Sequence, residues 1–198
     1  MPWFYQREIH RFHHIAAMGL SIFSMYFDDD AIFSERIVIL WSIPYFCVDI
    51  FDLILIKDYI YILHHAMVLT LGFFNYNNPL LYEMRMNSRA TWLELSTILL
   101  HIVQNSKDPI LFVVFAVTFT LCRLVWIPLG IINPLLQNGM DWYDWPIVAV
   151  SAFYGLNLYW YMKILKILFK NMKMLLPSSS PSPSSRDVIA SKKASKQG

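Results

Sequence analysis

Charge, glycine and cysteine are all scarce in this 198-residue chain, and each shortage excludes something. Only 15% of residues are Asp, Glu, Lys or Arg, against about 25% in soluble globular domains. Hydrophobic residues, tyrosine included, reach 57%, and mean hydropathy is +0.43. A water-soluble fold of this size leaves too much of its chain near the surface to hide that content. An ordinary cytosolic enzyme is excluded. The two cysteines, Cys47 and Cys122, sit inside apolar runs, which excludes a disulfide scaffold and a zinc-ligand pattern. None of the six glycines has GxxxG spacing, so close glycine-mediated helix contacts are not the packing device. Nor is there a Gly-rich phosphate loop, a nucleophile elbow, an HExxH pair or an internal repeat. What remains is a multi-pass membrane protein.

The net charge of +2 hides an asymmetry. Residues 163–198 hold eight Lys/Arg and one acid, a balance of +7, while residues 1–162 hold eight Lys/Arg and thirteen acids, a balance of −5. A basic stretch directly after an apolar helix is a topology signal. No aromatic residue lies among the basic residues of 177–198, so nothing there stacks on bases and nucleic acid is not an expected partner.

The apolar runs divide the chain. Residues 15–27 follow Arg7 and Arg11, with no small-x-small cleavage site before Asp28-Asp29-Asp30, and are read as a retained first helix. Residues 37–56, between Arg36 and Lys57, give about 30 Å of helix, the hydrocarbon thickness. Pro44 should kink it. Residues 59–76 end at Asn77-Asn78-Pro79. Residues 110–132 form the clearest span. The last run has Asp144 as its N-cap and Pro146 in its first turn, and Lys163, Lys166, Lys170 and Lys173 continue it at helical spacing.

The fourth segment, residues 90–105, carries Glu94, Thr97, His101 and Asn105 as a polar stripe. Among apolar helices that stripe suits a span facing lipid on one side and a polar cavity on the other. An amphipathic helix on the surface is the alternative. Both topologies place twelve Lys/Arg on the cytoplasmic side and three opposite, and both put the C-terminus in the cytoplasm. The expected fold is an all-α bundle of about six transmembrane helices, five if the fourth does not span, around a polar intramembrane cavity. Its boundaries are a short N-terminal segment at 1–11, the transmembrane domain at 12–174, and a disordered Ser/Pro-rich basic tail at 175–198.

Polar groups at mid-bilayer cost about 2.5–3.5 kcal/mol when charged, so each needs a reason. Asp49 and Asp52 lie one turn apart on the second helix, with Tyr45 one turn before Asp49. His64 and His65 follow Tyr61 on the third, Glu94, Ser96 and His101 lie on the fourth, and Arg123 on the fifth. Tyr154, Asn157 and Tyr161 share a face of the sixth. One expectation is that they brace the bundle in pairs, Asp49 with Arg123 for instance. The other, for the set as a whole, is a shared interior cavity. Asp52, five residues before Lys57, is placed to reach the interface. His10, His13 and His14, beside Arg7 and Arg11, are expected to face the interface, and no metal is expected.

Several motifs in order resemble the TLC domain: Pro44-Tyr-Phe-Cys-Val-Asp49, Tyr61-Ile-Leu-His64-His65, Glu94-Leu95-Ser96, Arg123 before Trp126-Ile127-Pro128, and Leu156-Asn157-Leu158-Tyr159-Trp160-Tyr161 with Lys163. Arg7 and His13, ahead of a run ending in Asp28-Asp29-Asp30-Ala31, resemble the domain's opening. The family includes ceramide synthases and translocon-associated membrane proteins. The resemblance implies about six helices around an intramembrane cavity, in the endoplasmic reticulum or a related membrane, with membrane lipids as partners. In ceramide synthases the histidine pair serves acyl transfer from acyl-CoA to a sphingoid amine. Carried over, His64 and His65 would be general base or acyl acceptor, with Asp49 or Asp52 orienting an imidazole. Tyr45, Tyr61, Glu94, Ser96, His101, Arg123, Asn157 and Tyr161 would line the cavity. The His-Asp-x-x-Asp motif of the synthases is absent, since Ile102 follows His101, and Glu94-Leu95-Ser96 resembles instead the small members of the family. Three functions are compatible: lipid binding in membrane lipid homeostasis, ceramide-synthase-like N-acyl transfer with acyl-CoA as co-substrate and no other cofactor, and a translocon partner or membrane chaperone.

Overall fold

The computed structural model describes residues 7–175 apart from 28 and 107. Residues 1–6 of the expected N-terminal segment and 176–198 of the expected tail lie outside the described residues. Every regular element among the described residues is helical. The packed unit ends at Leu168, and all contacts below lie within it.

Polar residues punctuate the chain. Helix α1 (Arg7–Tyr26) leads to Asp30, whose carboxylate accepts from the Phe33 N–H and opens α2 (Ala31–Ile56). The second helix thus begins a turn and a half before the apolar run, because the cap and not hydropathy sets its start. It continues through Pro44 and ends at Lys57, which takes a left-handed φ of 61°. Asp58 caps α3 (Tyr59–Asn77) through the Tyr61 N–H, and Asn78 caps the single turn α4 (Pro79–Glu83) through Leu80. After left-handed Arg85 come α5 (Met86–Thr91) and α6 (Glu94–Ser106), separated by two residues.

Asp108 then caps α7 (Pro109–Phe119), with Pro109 in the first turn. It runs on into two wider π-helical stretches, Thr120–Val125 and Ile127–Ile132, and then α8 (Asn133–Gln137). Here Trp126 and Asn133 donate their backbone N–H five residues back, to Leu121 and Pro128. Pro128 has no N–H to return to Leu124, whose carbonyl accepts from the Tyr154 hydroxyl at 3.4 Å. Gly130 lets this rod pass beneath Trp126, since a Cβ there would come within 2.5 Å of the indole. That indole donates to the Arg89 carbonyl at 2.9 Å, tying α5 to the π stretch. The last helix, α9 (Trp145–Leu175), carries on past Lys163 as expected. Asp144 precedes it and its carbonyl accepts from Val148, but its carboxylate turns back to the Asp141 N–H at 2.7 Å.

Neighbouring elements run antiparallel. Ser24 meets Glu35 and His10 meets Tyr45, which fixes α1 against α2. His65 meets Asp49, and Arg36 lies over the Tyr76 ring, which fixes α2 against α3. Ser24 also contacts Ser88, and His10 contacts His101, so 86–106 runs back along α1 as one broken rod. At 1.5 Å per residue those 21 residues cover about 31 Å. The fourth element therefore starts earlier than the expected 90–105. That earlier start follows from Glu35, a fully buried carboxylate on α2 that anchors the first turn of α5. Glu35 accepts from the N–H groups of Asn87 at 2.7 Å and Ser88 at 3.2 Å, and from the hydroxyls of Ser88 and Ser24.

The burial pattern is inverted relative to a soluble protein. On α1, His10, His13, His14, Ala17, Ser21 and Ser24 are buried, while Phe12 is 65%, Ile15 57% and Phe23 56% exposed. Large apolar side chains likewise line the outside of α2, α7 and α9. Two elements, Ala31–Ile56 and Pro109–Gln137, are by length and composition alone apolar enough to cross a membrane. Helices α4, α5 and α6 are each too short to qualify on their own.

Candidate functional site

The inward faces of α1, α2, α3, α6, α7 and α9 line a partly open chamber of about 540 Å³, polar in the sense that most of its lining residues carry a polar or titratable group. That volume falls among small-molecule pockets, roughly 300–1,000 Å³. Nine of the residues expected at a site line it: Tyr45, Asp49, Tyr61, His64, His65, Glu94, Ser96, His101 and Arg123. Asp52, Asn157 and Tyr161 do not. Asp52 is buried rather than interfacial, at 5% exposure, so it does not reach water beside Lys57. Asn157 stands behind the chamber and holds Arg123, and Tyr161 stacks on Phe119 at 6.4 Å.

One of the polar contacts joins α2 to α3. His65 Nδ1 lies 3.2 Å from Asp49 Oδ2, and both groups are buried. The pair is close but not aligned as a hydrogen bond. A carboxylate beside Nδ1 favours, through its charge, the tautomer that keeps the proton there and leaves Nε2 able to accept one. The other Asp49 oxygen is 3.9 Å from His10 Nε2, while His10 Nδ1 is 2.5 Å from the Tyr45 hydroxyl. His14 Nδ1 lies 2.9 Å from Glu94 Oε2, joining α1 to α6. His101 sits between the rings of His10 and His14, at 5.9 and 5.8 Å, and both its ring nitrogens are buried without a hydrogen-bond partner. His13 turns away and stacks on Tyr45 at 3.7 Å.

These contacts correct two expectations. The α1 histidines do not face the interface: they are buried and take part in all but one of the contacts just described. The signal was available, since residues 10, 14, 17, 21 and 24 repeat at helical spacing and are His, His, Ala, Ser and Ser. Arg7 and Arg11 obscured it by suggesting a membrane boundary. Nor does Asp49 pair with Arg123. The guanidinium instead donates to Ser96 Oγ at 2.8 Å, Thr97 Oγ1 at 2.8 Å and Asn157 Oδ1 at 2.9 Å, and packs 5.4 Å above the Phe119 ring. The π-helical widening at Thr120–Val125 places Arg123 in the bundle, 6% exposed.

A second, smaller chamber of about 130 Å³ adjoins the first. Four residues, Phe46, His64, Glu94 and Arg123, line both. The second chamber is mostly apolar, walled by side chains such as Val68, Leu71, Leu81, Leu135 and Val150. His64 is held in the partition by Phe153 and Trp160, with ring centroids 5.2 and 5.0 Å away. The two adjacent histidines thus divide their tasks: His65 faces Asp49, and His64 faces both chambers.

Chemically, the polar chamber offers a histidine–carboxylate dyad for moving a proton, and a buried cation for a polar oxygen. Among the described residues no group of three or more His, Cys, Asp or Glu is placed to hold a metal ion. Neither the curated proteins nor the solved structures give a significant match to the chain. Among protein families, the TLC domain matches residues 9–166, which covers α1 to the middle of α9 and every residue of both chambers except Ile167. The chain is a membrane protein and belongs to the TLC domain family.

Proposed function

We propose that this protein crosses the membrane six times, binds a lipid within its bundle and acts in membrane lipid homeostasis. The observation that carries this reading is the pair of adjoining chambers: a polar one for a headgroup and an apolar one for a chain, meeting at His64, Glu94 and Arg123. Six alternating rods, the broken 86–106 among them, support six crossings. The basic residues from Lys163 onward put both termini in the cytoplasm. Lys163 and Ile167 line the polar chamber, so its mouth lies at that side. The endoplasmic reticulum or a related internal membrane fits the family.

The Asp49–His65 contact favours a second reading, N-acyl transfer. His65 Nε2 would take the proton of an attacking amine while nitrogen bonds to the carbonyl carbon of an acyl thioester. The C–S bond then breaks, and the thiol leaves with that proton. Comparing lipids of membranes that carry wild-type or His65→Ala protein tests both readings. Altered lipid composition with wild type alone supports a lipid function, and an acyl-amide product lost with His65→Ala selects transfer. Indistinguishable lipid compositions contradict both.

A further inference from the structure

Gly72 sits in the interior of α3, where glycine costs about 0.5–1 kcal/mol relative to alanine. Three ordinary reasons for a helical glycine fail here. Its φ is not left-handed, it ends no helix, and a Cβ there would meet only the Ile39 Cγ2 methyl, at an unstrained 3.9 Å. Gly130, by contrast, is required by the Trp126 ring. Gly19 and Gly155 also have open space, but both lie on exposed faces, whereas Gly72 lines the apolar chamber. What its missing side chain preserves is chamber volume.

We infer that the apolar chamber receives the far end of the lipid's hydrocarbon chain, and that Gly72 sets how many carbons it admits. The inference rests on the lipid reading above. The chamber begins at the His64–Glu94–Arg123 partition, so a chain whose polar end lies among the histidines enters it tail first. Its lining of Val68, Leu71, Leu81, Leu135 and Val150 offers dispersion contacts to methylenes. At about 130 Å³ it is close to cavities that hold a six-carbon ring, so it takes about five or six carbons. In a close-packed interior, a side chain added at Gly72 displaces chain roughly carbon for carbon.

The test is the chain-length distribution of lipid extracted from purified protein, for wild type, Gly72→Ala, Gly72→Leu and Leu135→Ala. Gly72→Leu should shorten the mean bound chain by about three to four carbons and Gly72→Ala by about one. Leu135→Ala should lengthen it by about two to three. The opposite directions separate chain gauging from simple misfolding, which lowers lipid yield without changing its length. Lipid present in all four proteins with one unchanged distribution overturns the gauge and leaves the lipid reading standing. Wild-type protein without lipid overturns both.

Discussion

Arg123 is a buried cation whose three hydrogen-bond partners, Ser96, Thr97 and Asn157, are all neutral. Their carbonyl and hydroxyl dipoles replace part of the lost hydration, and Glu94 supplies negative charge from the same partition. Removing the guanidinium leaves Ser96 Oγ, Thr97 Oγ1 and Asn157 Oδ1 each without a donor. Arg123→Ala should therefore lower stability by about 2–5 kcal/mol, the lower end reflecting the weaker coupling measured within membranes. For a chain of this length that is a Tm loss on the order of 5–15 °C. Arg123→Lys should recover only part of it, because a point charge cannot reach three acceptors fixed around a planar fork. Thermal melting in detergent checks this, and an Arg123→Ala protein as stable as wild type would contradict it. That Arg123 faces the interior was legible in the sequence, because a charge in the most apolar run has no other tolerable place. Its partners were not. An acid was expected on electrostatic grounds, but the π-helical register turns Arg123 toward α6 and α9, and no one-dimensional pattern carries that rotation.

Among the elements, the broken rod at 86–106 depends most on a single residue. Glu35 lies on α2, yet its carboxylate gathers the first N–H groups of α5 and ties them to Ser24 on α1. Unfilled N–H groups at a helix start are costly in a bilayer, so α5 can begin at Met86 only with such an acceptor. Glu35→Ala should cost about 1–3 kcal/mol and speed backbone amide exchange at Asn87 and Ser88. Unchanged exchange there would show that α5 is held by its apolar packing alone. The fourth segment's polar stripe was legible and correctly points inward: Glu94, Thr97 and His101 all line the chamber. Its start was not, because Glu35 is 52 residues from Asn87 and nothing local marks the pairing. The α1 face shows the converse, since its buried histidine and serine stripe is regular enough to read once small and polar residues are allowed to point inward.

At the scale of the whole molecule, a membrane reverses the usual sorting: phenylalanine and isoleucine outside, histidine, serine and carboxylate inside. The proposed six crossings would put both termini on one side, and the Lys/Arg count assigns that side to the cytoplasm in the same proposal. A tag at Gly198 and a reporter at Tyr5 should both be removed by protease added to sealed microsomes. Protection of either would break the alternation. The central claim is that the chamber holding Asp49 and His65 is a lipid site and not a brace. The most direct measurement pairs thermal melting of purified His65→Ala protein with the lipid composition of membranes carrying it at matched abundance. A lipid site predicts a Tm within about 5 °C of wild type, as for the loss of about 1 kcal/mol, with the lipid effect abolished. A Tm far below wild type, with a lipid effect that falls only in proportion to the folded protein, would contradict it.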